Sequence, residues 1–441
     1  MEEERDKKFS WWQLWDWIAL FHRIVYLLLF LGLGFAIPYK NRVATWVIGF
    51  IVINWVAELR YWAKLKRILQ DPHRQRILLF TILYLVYLAG ILYSRNMEYA
   101  SFDITVKLSL LVFPLLFATI DGRVFSLLKI NYIFITYIIG TVAASVVCLV
   151  HALIGYLDTG DPGLFFYTHL SILHHSGYLA MFINFAIVIT VFLALNNRTL
   201  LTRWQQALIT LLVLFFNLMV VLLSSKMGIL SLLVTYALMS VIFFFSRTTR
   251  RKTLFPLVMM ATVFVFLFSL PQTMERVERS TNVVENMGSV KPDDGESTGE
   301  RILVWRSAWE IIRHHPFLGV GTGDVKDALL EEYAARGITT AYSRNLDAHN
   351  QYLQTYLSVG ITGFLLLVAM LVWPAILALK RKDYIYFFFV LLFAMNILTE
   401  SMFENQAGSV FYAFFNALLF WYLPDKKKRG PSEYQRSPSG I

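Results

Sequence analysis

Twelve stretches of this chain are apolar over close to the length that a helix needs to cross a bilayer, about 20 residues. They run at 18–38, 43–60, 77–93, 104–120, 130–155, 177–195, 205–225, 228–245, 254–271, 351–379, 384–400 and 408–424. Only 16% of the 441 residues are charged and 57% are hydrophobic, whereas a soluble globular chain carries roughly 25% charged residues. The expected fold class is an all-α polytopic membrane protein with about 12 transmembrane helices and one large, partly helical loop outside the membrane. The opening MEEERDKK is mixed in charge and has no small-residue cleavage site after it. The first apolar stretch therefore reads as a retained helix, not a removed signal peptide.

The formal net charge of +10 raises nucleic acid as a partner, but the basic residues do not gather on one patch. They sit between the apolar stretches, and alternate connections are rich in them: LRYWAKLKRILQDPHRQR, SRTTRRK, KRKD and the tail DKKKRG. The intervening short connections hold Lys40, Arg42, Arg95 and Lys226. By the positive-inside rule the rich set faces the cytoplasm, which puts both termini inside and the long segment 272–350 outside. That segment has basic residues of its own, but long translocated loops escape the rule. The lipid bilayer is an expected partner and nucleic acid is not; the oligomeric state stays open.

The expected organisation is membrane helices over 1–271, an external loop subdomain over 272–350, further membrane helices over 351–424 and a disordered cytoplasmic tail over 425–441. A loop of about 80 residues is small for a free-standing core, so it should pack on the membrane helices. Within it, Ser297 and Glu300 have capping-box spacing. The run from Arg301 to His314 places Ile302, Trp305, Ala308, Trp309 and Ile312 on one face, expected near the membrane surface with its tryptophans toward lipid or the bundle. Pro316 stops that helix. Segment 281–296 has little periodicity and reads as a mobile loop. The single cysteine, Cys148, permits no intramolecular disulfide and no Cys-based zinc site. No internal repeat is evident, unlike the related halves of many transporters.

Chemistry-bearing residues concentrate outside the membrane. His349 precedes the 351–379 stretch, which as one helix would run about 43 Å, against a hydrocarbon core of roughly 30 Å. Such a helix should tilt or project, with His349 at its external N-terminus. The partial positive charge there attracts anions and favours the neutral imidazole that a general base requires, while Asp347 pushes the other way. His349 is thus either such a base or a solvated or capping residue. Arg301 either binds phosphate through its planar fork or snorkels; Arg306 and Arg313 share its helix and the sequence does not rank them. Lys226, in LLSSKMGIL, either snorkels or brings positive charge to a site beside the membrane.

His174 and His175 are adjacent in the chain, so they point in different directions and do not make a metal pair. His175 and Tyr178 lie at the external edge, and LTESMFENQAG places Glu400, Glu404, Asn405 and Gln406 around the last external turn. Together with Asn350 they are candidate substrate-binding or supporting residues, such as groups that bind a sugar or orient His349. GVGTG, residues 319–323, lacks the Gly-Lys-Ser/Thr ending of a nucleotide loop and follows a helix and a proline. It should form a tight backbone turn near a ligand or helix. The spans are otherwise almost free of charge: Glu58 near a cytoplasmic end and Lys107 near an external end are both expected to reach water. A transporter should instead carry ionisable residues deep in its helices, so the pattern favours an enzyme working at the outer surface.

Read together, GER-x-x-x-W, P-x-x-G-x-G-x-G, HNQYLQTYLSVGITG and LTESMFENQ resemble the O-antigen ligase family of bacterial inner membranes. The likeness covers 170–425 and is sharpest over 297–363. It implies a Gram-negative inner-membrane protein with a periplasmic active loop and GT-C-like glycosyltransferase activity. The implied donor is a glycan on undecaprenyl diphosphate and the implied acceptor a sugar hydroxyl on lipid A–core. No nucleotide sugar, cofactor or metal is implied. By the same likeness His349 is the catalytic residue and Arg301 a ligand of the donor diphosphate. Lys226 stands where the family usually has arginine, which keeps the charge but loses the bidentate fork. Attack opposite the departing diphosphate inverts the anomeric centre. Because the wider superfamily contains polymerases, an O-antigen or exopolysaccharide polymerase is the alternative, and a glycolipid transporter the remoter one.

Overall fold

Inside lipid a backbone must satisfy its own hydrogen bonds, which a helix does and an open strand does not. The computed structural model describes residues 11–196, 201–246, 249–275, 278 and 297–423, and among these there are helices and no strands. Each of the expected apolar stretches falls mainly on helix where it is described, some on one helix and others, such as 104–120, divided between two. Among the described residues, eight helices are long and apolar enough to cross a membrane: Asp16–Tyr39, Pro72–Tyr93, Met97–Thr119, Ile130–Thr159, Ser176–Leu195, Arg203–Leu222, Lys226–Phe245 and Gln351–Arg381. Asn41–Ala57 and Tyr61–Gln70 qualify together as a span bent by 97°, and Leu254–Ser269 and Tyr384–Asn396 are shorter apolar helices. The last helix is Gln406–Tyr422. The chain is a multi-pass, all-α membrane protein. The expected mobile loop 281–296, the Ser297 side chain of the expected capping box and the expected tail 425–441 lie outside the described residues.

The helix Ser176–Leu195 is the most enclosed, with 83% of its most apolar window buried. Phe185 on it meets Phe389, Phe411 and Phe415 with ring centroids 5.0–5.7 Å apart in tilted and edge-on arrangements. Aromatic quadrupoles prefer that geometry to a face-to-face sandwich. This axis carries His175 just ahead of its first turn.

A second, smaller apolar core lies apart from the bundle core. It joins Val304, Ala308 and Ile312 of the helix Ser297–His314, Val325, Leu329 and Tyr333 of the helix Val325–Ala335, and Leu357 of the long helix. The buried face of Ser297–His314 centres on Val304, Ala308 and Ile311, an i, i+4, i+7 stripe. Ala308 and Ile312 lie within it as expected, but Ile302 is buried on another side of the helix, outside this core, and Trp309 falls off its edge and is 53% exposed.

The long helix is not the single tilted rod that its length suggests. Val359 (φ −132°) and Gly360 (φ +65°) are non-helical and break it. The break leaves two carbonyls without their intrahelical donors, and the glycine motif supplies new ones. Val320 N donates to Leu357 O at 2.7 Å and Gly321 N to Ser358 O at 3.0 Å, while Ile361 N donates to Pro316 O at 3.1 Å. Gly360 has positive φ, and a Cβ there would lie 2.0 Å from Phe317 O, so only glycine fits. GVGTG thus forms its tight turn against a helix, as anticipated. Thr322 Oγ1 then donates to Tyr87 O at 2.7 Å, and Asp324 accepts from Arg95 N and Asn96 N at 2.8–2.9 Å.

Candidate functional site

Four of the expected residues line one cavity of about 300 Å³: His175, Lys226, Arg301 and Glu400. Each is placed by a different element. Lys226 is the first residue of the helix Lys226–Phe245, whose N-cap Ser225 accepts from Gly228 N. A cation at this end opposes the helix dipole, and Lys226 Nζ is held by Thr298 Oγ1 at 2.7 Å. Thr298 sits one turn before Arg301 on the helix Ser297–His314, so the i, i+3 spacing puts both over the cavity. Arg301 Nη2 donates to Glu400 Oε1 at 2.7 Å. Among the described residues Arg301 Nε and Trp305 Nε1 are buried without a hydrogen-bond partner, and both residues line the cavity. The structure also ranks the three arginines: Arg301 faces the cavity, Arg306 is exposed and Arg313 pairs with Glu310 at 3.6 Å.

His349 is not among the lining residues, but it contacts one. Its Nδ1 lies 3.6 Å from Glu400 Oε2 and 3.8 Å from Asp347 Oδ1, ion-pair distances beyond the hydrogen-bond range. Asp347 Oδ1 also accepts from His349 N at 2.7 Å. The His349 backbone is left-handed, φ +43°, and the cavity-lining Ser224 and Tyr167 share that trait at +47° and +55°. Such conformations persist only where the surroundings over-determine them, and they concentrate at functional sites.

The HNQYLQ motif fixes this turn from within. Asn350 caps the long helix, its Oδ1 accepting from Tyr352 N and Leu353 N at 2.9 and 3.2 Å. Gln351 Oε1 accepts from Phe403 N at 2.6 Å, and Gln351 N donates to Ile397 O at 2.9 Å. Gln354 Oε1 accepts from Ala348 N at 3.0 Å. These bonds tie the 397–403 turn, and Glu400 with it, to the segment bearing His349.

The charges respond to one another. Burial pushes the His349 imidazole down, but Glu400 and Asp347 outweigh it, so its pKa is raised above the ordinary 6.5. The two carboxylates nearby favour the charged imidazole, the sense expected of Asp347 and opposite to that of the helix N-terminus. Burial pushes Glu400 up, but His349, Arg301 and His175 hold it below the usual carboxylate range. His175 keeps part of its surface exposed, yet the loss of water around its ring prevails over the Glu400 charge and its pKa is lowered. His174 does point elsewhere: it is buried edge-on against Phe182, and burial lowers its pKa to about 4.

The other expected residues serve structure. Tyr178 is buried and is not among the lining residues, its ring 6.3 Å from that of His175. Asn405 caps the helix Gln406–Tyr422 by accepting from Ala407 N at 3.0 Å. Glu404 turns away from the cavity to Lys107, 2.7 Å off, which also pairs with Asp103. Lys107 does not reach water as expected: it is fully buried, with two carboxylates and the Tyr87 ring around it. Glu58 likewise pairs with Lys64 at 3.4 Å. Sequence reasoning missed Thr298, Trp305 and Tyr167 as cavity residues; the turn spacing from Arg301 could have found the first two.

The family model described as O-antigen ligase matches residues 208–368. The matched stretch holds Lys226, Arg301 and His349, and leaves His175 and Glu400 outside it. No curated protein matches the chain.

Proposed function

With residues 208–368 belonging to the O-antigen ligase family, we propose that the chain is a polysaccharide ligase of the Gram-negative inner membrane. It transfers a glycan from undecaprenyl diphosphate to a sugar hydroxyl of lipid A–core at the periplasmic face, with both termini in the cytoplasm. The observation that carries this reading is the placement of Arg301 and Lys226 in the wall of one cavity with Glu400, which in turn meets His349.

In this reading the diphosphate occupies the cavity. Arg301 and Lys226 stabilise the negative charge that builds on it as the glycosidic bond breaks. Ile302, Trp305, Met227 and Leu230 give the same cavity an apolar side, suited to the first isoprene units. With Nδ1 of His349 buried against the carboxylates, Nε2 is the nitrogen left to meet an acceptor hydroxyl. His349 takes the hydroxyl proton, the acceptor oxygen bonds to the anomeric carbon, and the bonding pair leaves with the diphosphate oxygen. Donor and base lie on two sides of Glu400, which suits in-line attack with inversion and needs no covalent enzyme intermediate.

The test is His349→Ala in a strain lacking the native copy, with expression confirmed, followed by analysis of lipopolysaccharide and of the lipid-linked glycan pool. Loss of long chains from lipid A with full-length lipid-linked glycan accumulating supports a ligase. Loss of the polymer itself supports the polymerase alternative. Full complementation by the variant overturns the role of His349.

A further inference from the structure

Glu400 divides its carboxylate between two partners. Oε1 holds Arg301 Nη2 at 2.7 Å, while Oε2 stands 3.6 Å from His349 Nδ1, just short of a hydrogen bond. Both partners have capacity in hand: among the described residues Arg301 Nε and His349 Nδ1 are buried without a hydrogen-bond partner. The turn carrying Glu400 is anchored on both sides of it, by Gln351 N to Ile397 O at 2.9 Å and by Asn350 N to Ser401 Oγ at 3.2 Å. The carboxylate itself therefore needs to move by less than about 1 Å, a side-chain torsion well within ordinary rotamer freedom.

We propose that Glu400 is a donor-operated switch, which a diphosphate entering the cavity displaces from Arg301 onto His349 Nδ1. This rests on the ligase reading and adds to it an order of events. A diphosphate competes with Glu400 for the same guanidinium, and its negative charge repels the carboxylate it displaces. Glu400 then completes the hydrogen bond to His349, orients the ring with Nε2 toward the acceptor and strengthens the base. The groups facing His349 are Asp347 on its own segment, Glu400, Arg301 from the helix Ser297–His314, and His175 from ahead of the central helix. Of these, Glu400 bridges Arg301 and His349. Glu400 is a positioning residue: it touches neither reacting atom, yet it makes base strength depend on donor occupancy. The device keeps His349 from being fully activated in a site with no glycan to transfer.

The test uses the full-length protein in phospholipid nanodiscs and undecaprenyl diphosphate without a glycan as the probe. Glu400→Gln removes the competing charge, so the probe should bind at least threefold tighter while ligase turnover falls at least tenfold. A residue that only held the fold would lose both. In histidine-labelled wild type the NMR titration midpoint of His349 should rise when the probe binds, and in Glu400→Gln the rise should be much smaller. Equal rises in the two proteins, or weaker probe binding by the variant, overturn the switch while leaving the donor assignment intact. Failure of the wild type to bind the probe overturns the donor reading and the switch together.

Discussion

Val320 N donates to Leu357 O at 2.7 Å, so the glycine loop repairs the break in the helix Gln351–Arg381. That helix would otherwise carry the segment around His349 far from the bundle. The break and its patch instead fold its first turns into the small external core. Gly360→Ala should be among the most damaging single-methyl changes in the chain. The new Cβ would meet Phe317 O at 2.0 Å in a left-handed backbone, and strain of this kind costs at least about 2 kcal/mol. Gly337→Ala, also at positive φ but with open space around it, isolates the backbone contribution, about 1 kcal/mol. Thermal unfolding of both variants in one detergent checks the order; equal losses would show that the joint at Phe317 carries no weight.

Much of this was legible in the sequence, and the failures have physical causes. Long apolar runs have one solution in lipid, so the expected stretches are mainly helical. Arg301, Lys226 and His175 were legible as candidates at the external edge, and the fold brings them to one cavity, though the sequence alone left snorkelling or solvation open for each. The break at Val359–Gly360 was not, because SVGITG is as apolar as its flanks and the partner loop lies some 40 residues away in sequence. The fate of Lys107 was equally hidden: its partner Glu404 is 297 positions distant. Both look accessible until the fold encloses them. Trp309 was misplaced because a stripe read every three or four residues fixes the width of a face better than its centre.

The Lys107 cluster leads to a second prediction. Lys107→Met would leave Asp103 and Glu404 buried together without their cation, and breaking a buried ion pair from one side costs about 3–5 kcal/mol. Adding Asp103→Asn and Glu404→Gln to Lys107→Met should recover most of that loss, since replacing all the charges removes the repulsion. Yield and thermal unfolding of the single and triple variants decide it. A triple variant no better than the single one would mean that the charges are not what holds this corner.

Lys226 and His349 differ in what they contribute. A charge-assisted hydrogen bond is worth about 1.5–3 kcal/mol, so Lys226→Ala should raise the KM for the lipid-linked donor roughly ten- to hundredfold. Lys226→Arg keeps the charge and gains a fork, and should stay within a few-fold of wild type. His349→Ala should instead lower kcat, by about 10²–10⁴ for loss of a general base, with donor affinity little changed. A parallel loss of donor binding in His349→Ala would place the histidine on the diphosphate.

The dependence on pH follows from the carboxylates beside His349. They raise its pKa above 6.5 despite burial, and a general base works only when neutral. Turnover should therefore climb as pH rises through that elevated value, with its rising limb displaced upward from the ordinary histidine range. Asp347→Asn removes one of the charges responsible and should move the limb to lower pH, with a smaller maximal rate because a weaker base drives proton transfer less. Stability runs in the opposite sense. A group whose folded pKa is raised stabilises the fold below its unfolded value, and that contribution is lost as pH rises through the folded value. The wild type should accordingly gain more from mild acid than Asp347→Asn does, until Glu400, whose pKa is lowered, begins to protonate and its own contribution disappears. Rate and unfolding profiles between pH 5 and 9 separate the two effects: a limb that stays in place in Asp347→Asn would show that Asp347 does not set the charge of His349.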